Sequence, residues 1–159
     1  MSNNEAGSHT MLSQVAQIAG NLGVGTANQF PEDIEFVLGV ANTRARAGKL
    51  SDAICLYLLG AEIDPLDYRV HQGLTNCLLM LRLFEQAIPF ASLMIGLEPG
   101  NPLGYYFSGL ARFSAGDHTE ATEDFNTVLS LKDKVEDKAI LSKSEVLLSR
   151  LRSAGSDPA

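Results

Sequence analysis

Two asparagines, Asn42 and Asn76, stand 34 residues apart in a chain of 159. A carboxamide carries two donors and an acceptor, the set needed to hold an extended peptide backbone, although plain solvation accounts for the pair equally well. The other residues able to do chemistry are scattered. His9 falls in a polar N-terminal stretch, His71 at a helix-packing position and His118 at a helix turn. None has a second histidine at four-residue spacing, and neither a Ser-His-Asp order nor a facing pair of carboxylates is in view. Cys55 and Cys77, the only cysteines, lie in apolar runs without a CxxC. They read as small buried hydrophobes in a reducing compartment. No catalytic residue, metal or cofactor is expected, and the protein is read as a non-enzyme.

Composition narrows the partners. The net charge is -7 and the isoelectric point about 4.8, which argues against a polyanion, since phosphate contacts need clustered Lys and Arg. Trp is absent, so a base-stacking surface is not expected. No Lys or Arg precedes Arg44, so the start of the chain lacks the basic region of a secretory signal, and no apolar run is long enough to span a bilayer. A soluble, cytoplasmic protein with a protein partner is expected.

What positions such residues is a repeat. Residues 48–65 read GKLSDAICLYLLGAEIDP, residues 82–99 RLFEQAIPFASLMIGLEP and residues 116–133 GDHTEATEDFNTVLSLKD. Ala53, Ala87 and Ala121 fall in register, as do Pro65 and Pro99. Three copies at one period mean stacked units of one supersecondary element. The apolar spacing is helical throughout, and an all-α fold follows. Gly48 and Gly116 mark the turn inside a helix pair, where a left-handed backbone favours glycine. Asp64-Pro65 and Glu98-Pro99 close second helices, Asn101-Pro102 opens a first one, and Asp117 to Glu120 reads as a capping box. The small alanines let the paired helices approach. Arg44 and Arg112, at equivalent internal positions, are expected either to reach past the helix edge or to pair with acids such as Glu62 or Glu120.

The chain divides into a polar tail over residues 1–9, an amphipathic helix and linker over 10–30, a repeat domain with a capping helix over 31–153, and a tail over 154–159. Leu12, Val15, Ile18 and Leu22 form an apolar stripe on the N-terminal helix, which needs a surface to bury against. The closing helix is placed at Val135 to Arg152, with Ala139, Ile140, Val146, Leu147 and Leu151 along one side.

A 34-residue helix-turn-helix unit with these Gly, Ala and Pro positions, and with Tyr57 and Phe125 as bulky residues, resembles the tetratricopeptide repeat. The usual aromatic of the first helix is replaced by Val37, His71 and Tyr105. The resemblance implies a superhelix of three repeats whose first helices line a concave groove. The groove positions would be Glu35, Leu38, Asn42 and Ala45 in the first repeat, and Arg69, Gln72, Asn76 and Leu79 in the second. Leu103, Tyr106, Leu110 and Phe113 in the third are wholly apolar, a binding surface unless a terminal helix folds over it. Repeat adapters that hold chaperone carboxylates use cations and asparagines at positions matching Leu38, Asn42, Gly73, Leu103 and Phe107. Only Asn42 fits, so a terminal carboxylate is not the expected ligand.

The whole layout resembles the class II chaperones of bacterial type III secretion, carried by residues 10–152, by ARAGKLSDAICLY and by DKAILSKSEVLLSRL. That likeness implies a bacterial cytoplasmic chaperone that keeps a secreted, hydrophobic translocator soluble by holding an extended apolar segment in the groove. It also implies a homodimer through Leu12, Val15, Ile18 and Leu22, with docking of that helix onto the chain's own first repeat as the alternative. An assembly scaffold or a needle-subunit chaperone is the alternative.

Overall fold

The computed structural model describes residues 34–154. They form helices α1 (Ile34–Arg46), α2 (Leu50–Ile63), α3 (Tyr68–Met80), α4 (Phe84–Leu97), α5 (Pro102–Ala115), α6 (His118–Ser130) and α7 (Lys138–Ala154), with a 3-10 turn at Lys132–Lys134. No strand occurs among the described residues. The helices follow one another as hairpins, in step with the 34-residue period. The N-terminal helix expected over residues 10–24, and the tails, lie outside the described residues.

All three hairpin turns have the same construction. The N–H of Lys49 donates to the Arg44 carbonyl at 3.0 Å, that of Leu83 to Leu78 at 2.9 Å, and that of Asp117 to Arg112 at 2.9 Å. Each bond spans five residues and forces a left-handed residue just before the donor. Gly48 has φ 74° and Gly116 φ 95°, as the sequence led one to expect. The middle turn has Arg82 at φ 61°, a side chain in a region that costs L-residues about 1–2 kcal/mol. Its guanidinium lies 5.9 Å over the Phe84 ring. Arg82→Gly is expected to stabilise the protein by about 0.5–1 kcal/mol, the relief of strain being partly offset by a freer unfolded chain and the lost ring contact. Chemical denaturation measures it, and a fall in the urea midpoint would contradict it.

The helix ends otherwise follow the local chemistry. Asn101 Oδ1 accepts from the Leu103 N–H at 3.0 Å, and Pro102 occupies the first helical position, where a missing N–H costs nothing. The capping box at Asp117 to Glu120 does not form: Asp117 makes no side-chain cap bond. Its own N–H is already committed to the Arg112 carbonyl, so Glu120 has nothing to reach back to. The closing helix starts at Lys138, three residues later than the apolar spacing suggested, because Asp137 caps it through a 2.9 Å bond from the Ala139 N–H.

The described residues fall into two compact units, one up to Cys77 and one from Leu78. In the first, Val37, Leu38 and Ala41 of α1 are buried, as are Ala53, Leu56 and Tyr57 of α2 and Val70, Leu74 and Cys77 of α3. A Cβ on Gly60 would lie 3.1 Å from Val70 Cγ2, which shows how closely α2 and α3 approach. His71 is a packed histidine whose Nε2 lies 2.7 Å from the Pro65 carbonyl. Burial pushes the Cys77 thiol up, in keeping with an inert cysteine.

In the second unit Phe125 of α6 is fully buried with Ala121, Val128, Tyr106 of α5, and Leu148 and Leu151 of α7. A Cβ on Gly109 would lie 2.8 Å from Phe125 Cε1, so the ring seats on bare backbone. The inward side of α7 is Ile140, Leu141, Ser144, Leu147, Leu148 and Leu151, while Ala139 and Val146 face solvent. Of the five residues expected on that side, Ile140, Leu147 and Leu151 lie on it, while Ala139 and Val146 do not.

Candidate peptide-binding face

In the first unit the face is polar and partly self-satisfied. Asn42 is exposed on α1, and its Oδ1 accepts the hydroxyl proton of Tyr57 at 2.7 Å. Leu38, one turn earlier, is only 4% exposed and belongs to the core, and Ala45 is half-buried. On α3, Asn76 is exposed and Gln72 half-buried. Arg69 is engaged by two carboxylates, Glu35 at 2.7 Å and Asp67 at 2.6 Å. Its guanidinium holds the Asp67 carboxyl below its ordinary range. The position-equivalent pair Glu35 and Arg69 therefore bridges α1 and α3, a link the sequence period placed in register but did not reveal.

In the second unit the face is apolar. Leu79, at the end of α3, and Leu103, Leu110 and Phe113 along α5 are half-buried. Tyr106 is different: it is 7% exposed and joins the core beneath α7. The turn-by-turn stripe is thus interrupted in its middle, where the closing helix covers the ring. Phe113 stacks on His118, ring centroids 5.9 Å apart and planes 27° from parallel. Beside Leu103 opens a cavity of about 660 Å³ whose apolar wall is Leu103, Val135 and Ile140, and whose rim carries Glu98, Lys134, Glu136 and Asp137.

Behind this face sits a polar cluster. Arg112 Nε donates to Ser108 Oγ at 3.0 Å and faces Asp124 Oδ2 at 3.4 Å. Burial pushes the Asp124 carboxyl above its ordinary range, with Ser108 and Arg112 opposing. In the first unit Arg44 faces Asp52 at 3.8 Å. Both arginines thus pair with acids, but with Asp52 and Asp124 and not with Glu62 or Glu120. A short carboxylate on the neighbouring helix meets the guanidinium beside the hairpin turn. Among the described residues no group of three His, Cys, Asp or Glu side chains is arranged to hold a metal, and no helix is long and apolar enough to cross a membrane. Leu12, Val15, Ile18 and Leu22, the expected dimer contact, lie outside the described residues.

No protein-family model matches the sequence, and no curated protein does. Solved structures do. The Yersinia enterocolitica type III secretion chaperone SycD, in complex with a peptide of the translocator YopD, superposes at TM-score 0.73 with 20% identity, over 77% of this chain and 94% of that one. PcrH of Pseudomonas aeruginosa, in complex with the chaperone-binding region of PopD, gives 0.72 with 21% identity over 77% and 92%. The first repeat domain of Spaghetti (RPAP3), bound to an HSP90 peptide, gives 0.70 with 22% identity over 78% and 94%. The chain has the tetratricopeptide-repeat fold. The same architecture is thus seen with translocator segments in SycD and PcrH and with an HSP90 peptide in Spaghetti. Of the five clamp positions, four are Leu38, Gly73, Leu103 and Phe107, and no cation stands at any of them.

Proposed function

We propose that the protein is a cytoplasmic chaperone that holds an extended apolar segment of a secreted translocator on the faces of its first helices. The supporting observation is the half-buried stripe Leu103, Leu110 and Phe113 on α5, with neutral residues where carboxylate-binding repeats place cations. SycD and PcrH, which share the fold, are seen with translocator segments. An apolar side chain contributes about 1.5–3 kcal/mol when fully buried, and ordering the peptide removes part of this. Three anchors contribute about 4.5–9 kcal/mol before that loss, so micromolar binding is the upper bound for them alone, suited to a client that must later be released. Tyr106 serves this reading indirectly, as the floor under α7. Leu79 belongs to the same unit as that stripe; in the first unit Ala45, Gln72, Asn76 and Arg69, the last in its carboxylate-paired form, are the residues offered to a ligand.

Co-expression with a hydrophobic translocator tests the proposal. The client is expected to become soluble and to copurify. Replacing Leu110 and Phe113 together by Ala is expected to weaken capture at least tenfold with helicity unchanged, as the loss of two anchors requires. Replacing Glu123, exposed on α6, should do little. Capture lost through Glu123 and kept in the double variant would put the function on the opposite surface.

A further inference from the structure

Asn42 is not a free carboxamide. Tyr57 is 3% exposed, and its hydroxyl reaches Asn42 Oδ1 at 2.7 Å. The ring gets there by lying across Gly73: a Cβ at that position would sit 2.3 Å from Tyr57 Cε1 and Cζ, an impossible contact. Burial pushes the Tyr57 hydroxyl up to about 12, so it carries its proton at any physiological pH. Three residues of the first unit, far apart in sequence, thus fix one amide. With its oxygen accepting from Tyr57 and the residue exposed on α1, the group left to meet a ligand is the Nδ2 donor. An amide so held is a donor, where a freely rotating one is a donor or an acceptor by turns.

We infer that Tyr57 is a positioning residue for ligand recognition, setting Asn42 to donate to a backbone carbonyl of the bound segment. This rests on the peptide-binding reading above and adds to it a polarity: an acceptor on the ligand is selected at this point. Gly73 belongs to the same device. Any side chain at this position would displace the tyrosine ring. Recognition at this point is then of main chain, which suits a segment chosen by apolar side chains.

The probe is a fluorescein-labelled peptide of the PopD chaperone-binding region, titrated by polarisation against the full chain and its variants. Asn42→Asp keeps the acceptor for Tyr57 but turns an acceptor toward the segment, and it is expected to weaken binding about tenfold or more. Tyr57→Phe keeps the ring over Gly73 but releases the amide, and should weaken binding about threefold to fivefold. In ¹⁵N spectra the two Asn42 Nδ2 protons should shift on peptide addition in the native protein, which a merely structural asparagine would not show. If Leu110 and Phe113 substitutions weaken binding while Asn42→Asp and Tyr57→Phe stay within about twofold, the inference is overturned and the apolar reading stands. If the native protein binds no peptide, the reading on which the inference rests fails with it. Unmoved Asn42 amide signals in a protein that binds also overturn it.

Discussion

A protein lacking residues 134–159 is expected to aggregate, where the full chain stays monodisperse. Leu148 and Leu151, 1% and 8% exposed, complete the core around Phe125, Val128 and Tyr106, with Ile140, Leu141 and Leu147 packed at its edge. Removing α7 uncovers the sides of α5 and α6 that carry Tyr106, Phe125 and Val128. Each large apolar side chain so exposed forgoes about 1.5–3 kcal/mol, and the sum exceeds what a marginally stable domain has to lose. Light scattering after size-exclusion chromatography reads the outcome. A truncated protein that remains monodisperse with an unchanged melting temperature would show that α7 is an appendage. Leu148→Ala in the intact chain gives a graded version, with an expected loss of about 2–5 kcal/mol.

Phe125→Ala is expected to cost about 3–5 kcal/mol, the upper range for a core truncation, because nothing can collapse into the space a rigid hairpin leaves. In a chain of this size that lowers the melting temperature by on the order of 10 °C. The same site makes a coupling test. Gly109→Ala alone should destabilise, since its methyl meets the Phe125 ring at 2.8 Å. Added to Phe125→Ala it should instead restore part of the loss, the methyl entering the void. Additive losses in the double variant, read by thermal circular dichroism, would mean that the two residues do not share one space.

The fold was largely legible from sequence because its punctuation is local. Pro65, Pro99, Asn101, Gly48 and Gly116 act within one turn of themselves, and the structure uses each as the chain order indicates. Where side chains meet across helices, the sequence said less. Arg82 occupies a left-handed turn without any glycine to signal it; only its register with Gly48 and Gly116 could have done so. The pairing of Arg44 with Asp52 and of Arg112 with Asp124 depends on the splay of each hairpin, which spacing leaves open. Tyr106 and Leu38 carry the period of the binding face, yet both are buried, Tyr106 in a core completed by Leu148 and Leu151 of the closing helix. The Tyr57–Asn42 bond had the same cause: nothing local to Asn42 announces a tyrosine fifteen residues on.

The threefold hairpin turn also bears on how the chain reaches its fold. Each turn is closed by a backbone bond between residues only five apart, and the helices it joins are neighbours in the chain. Little chain entropy is lost in bringing such partners together, which places the protein among topologies that fold fast. A single helix pair cannot bury its apolar face alone, so stable structure is expected to build as neighbouring pairs stack. Under the chaperone reading proposed above, fast local folding would have a use, since a chaperone is needed as soon as its client is made.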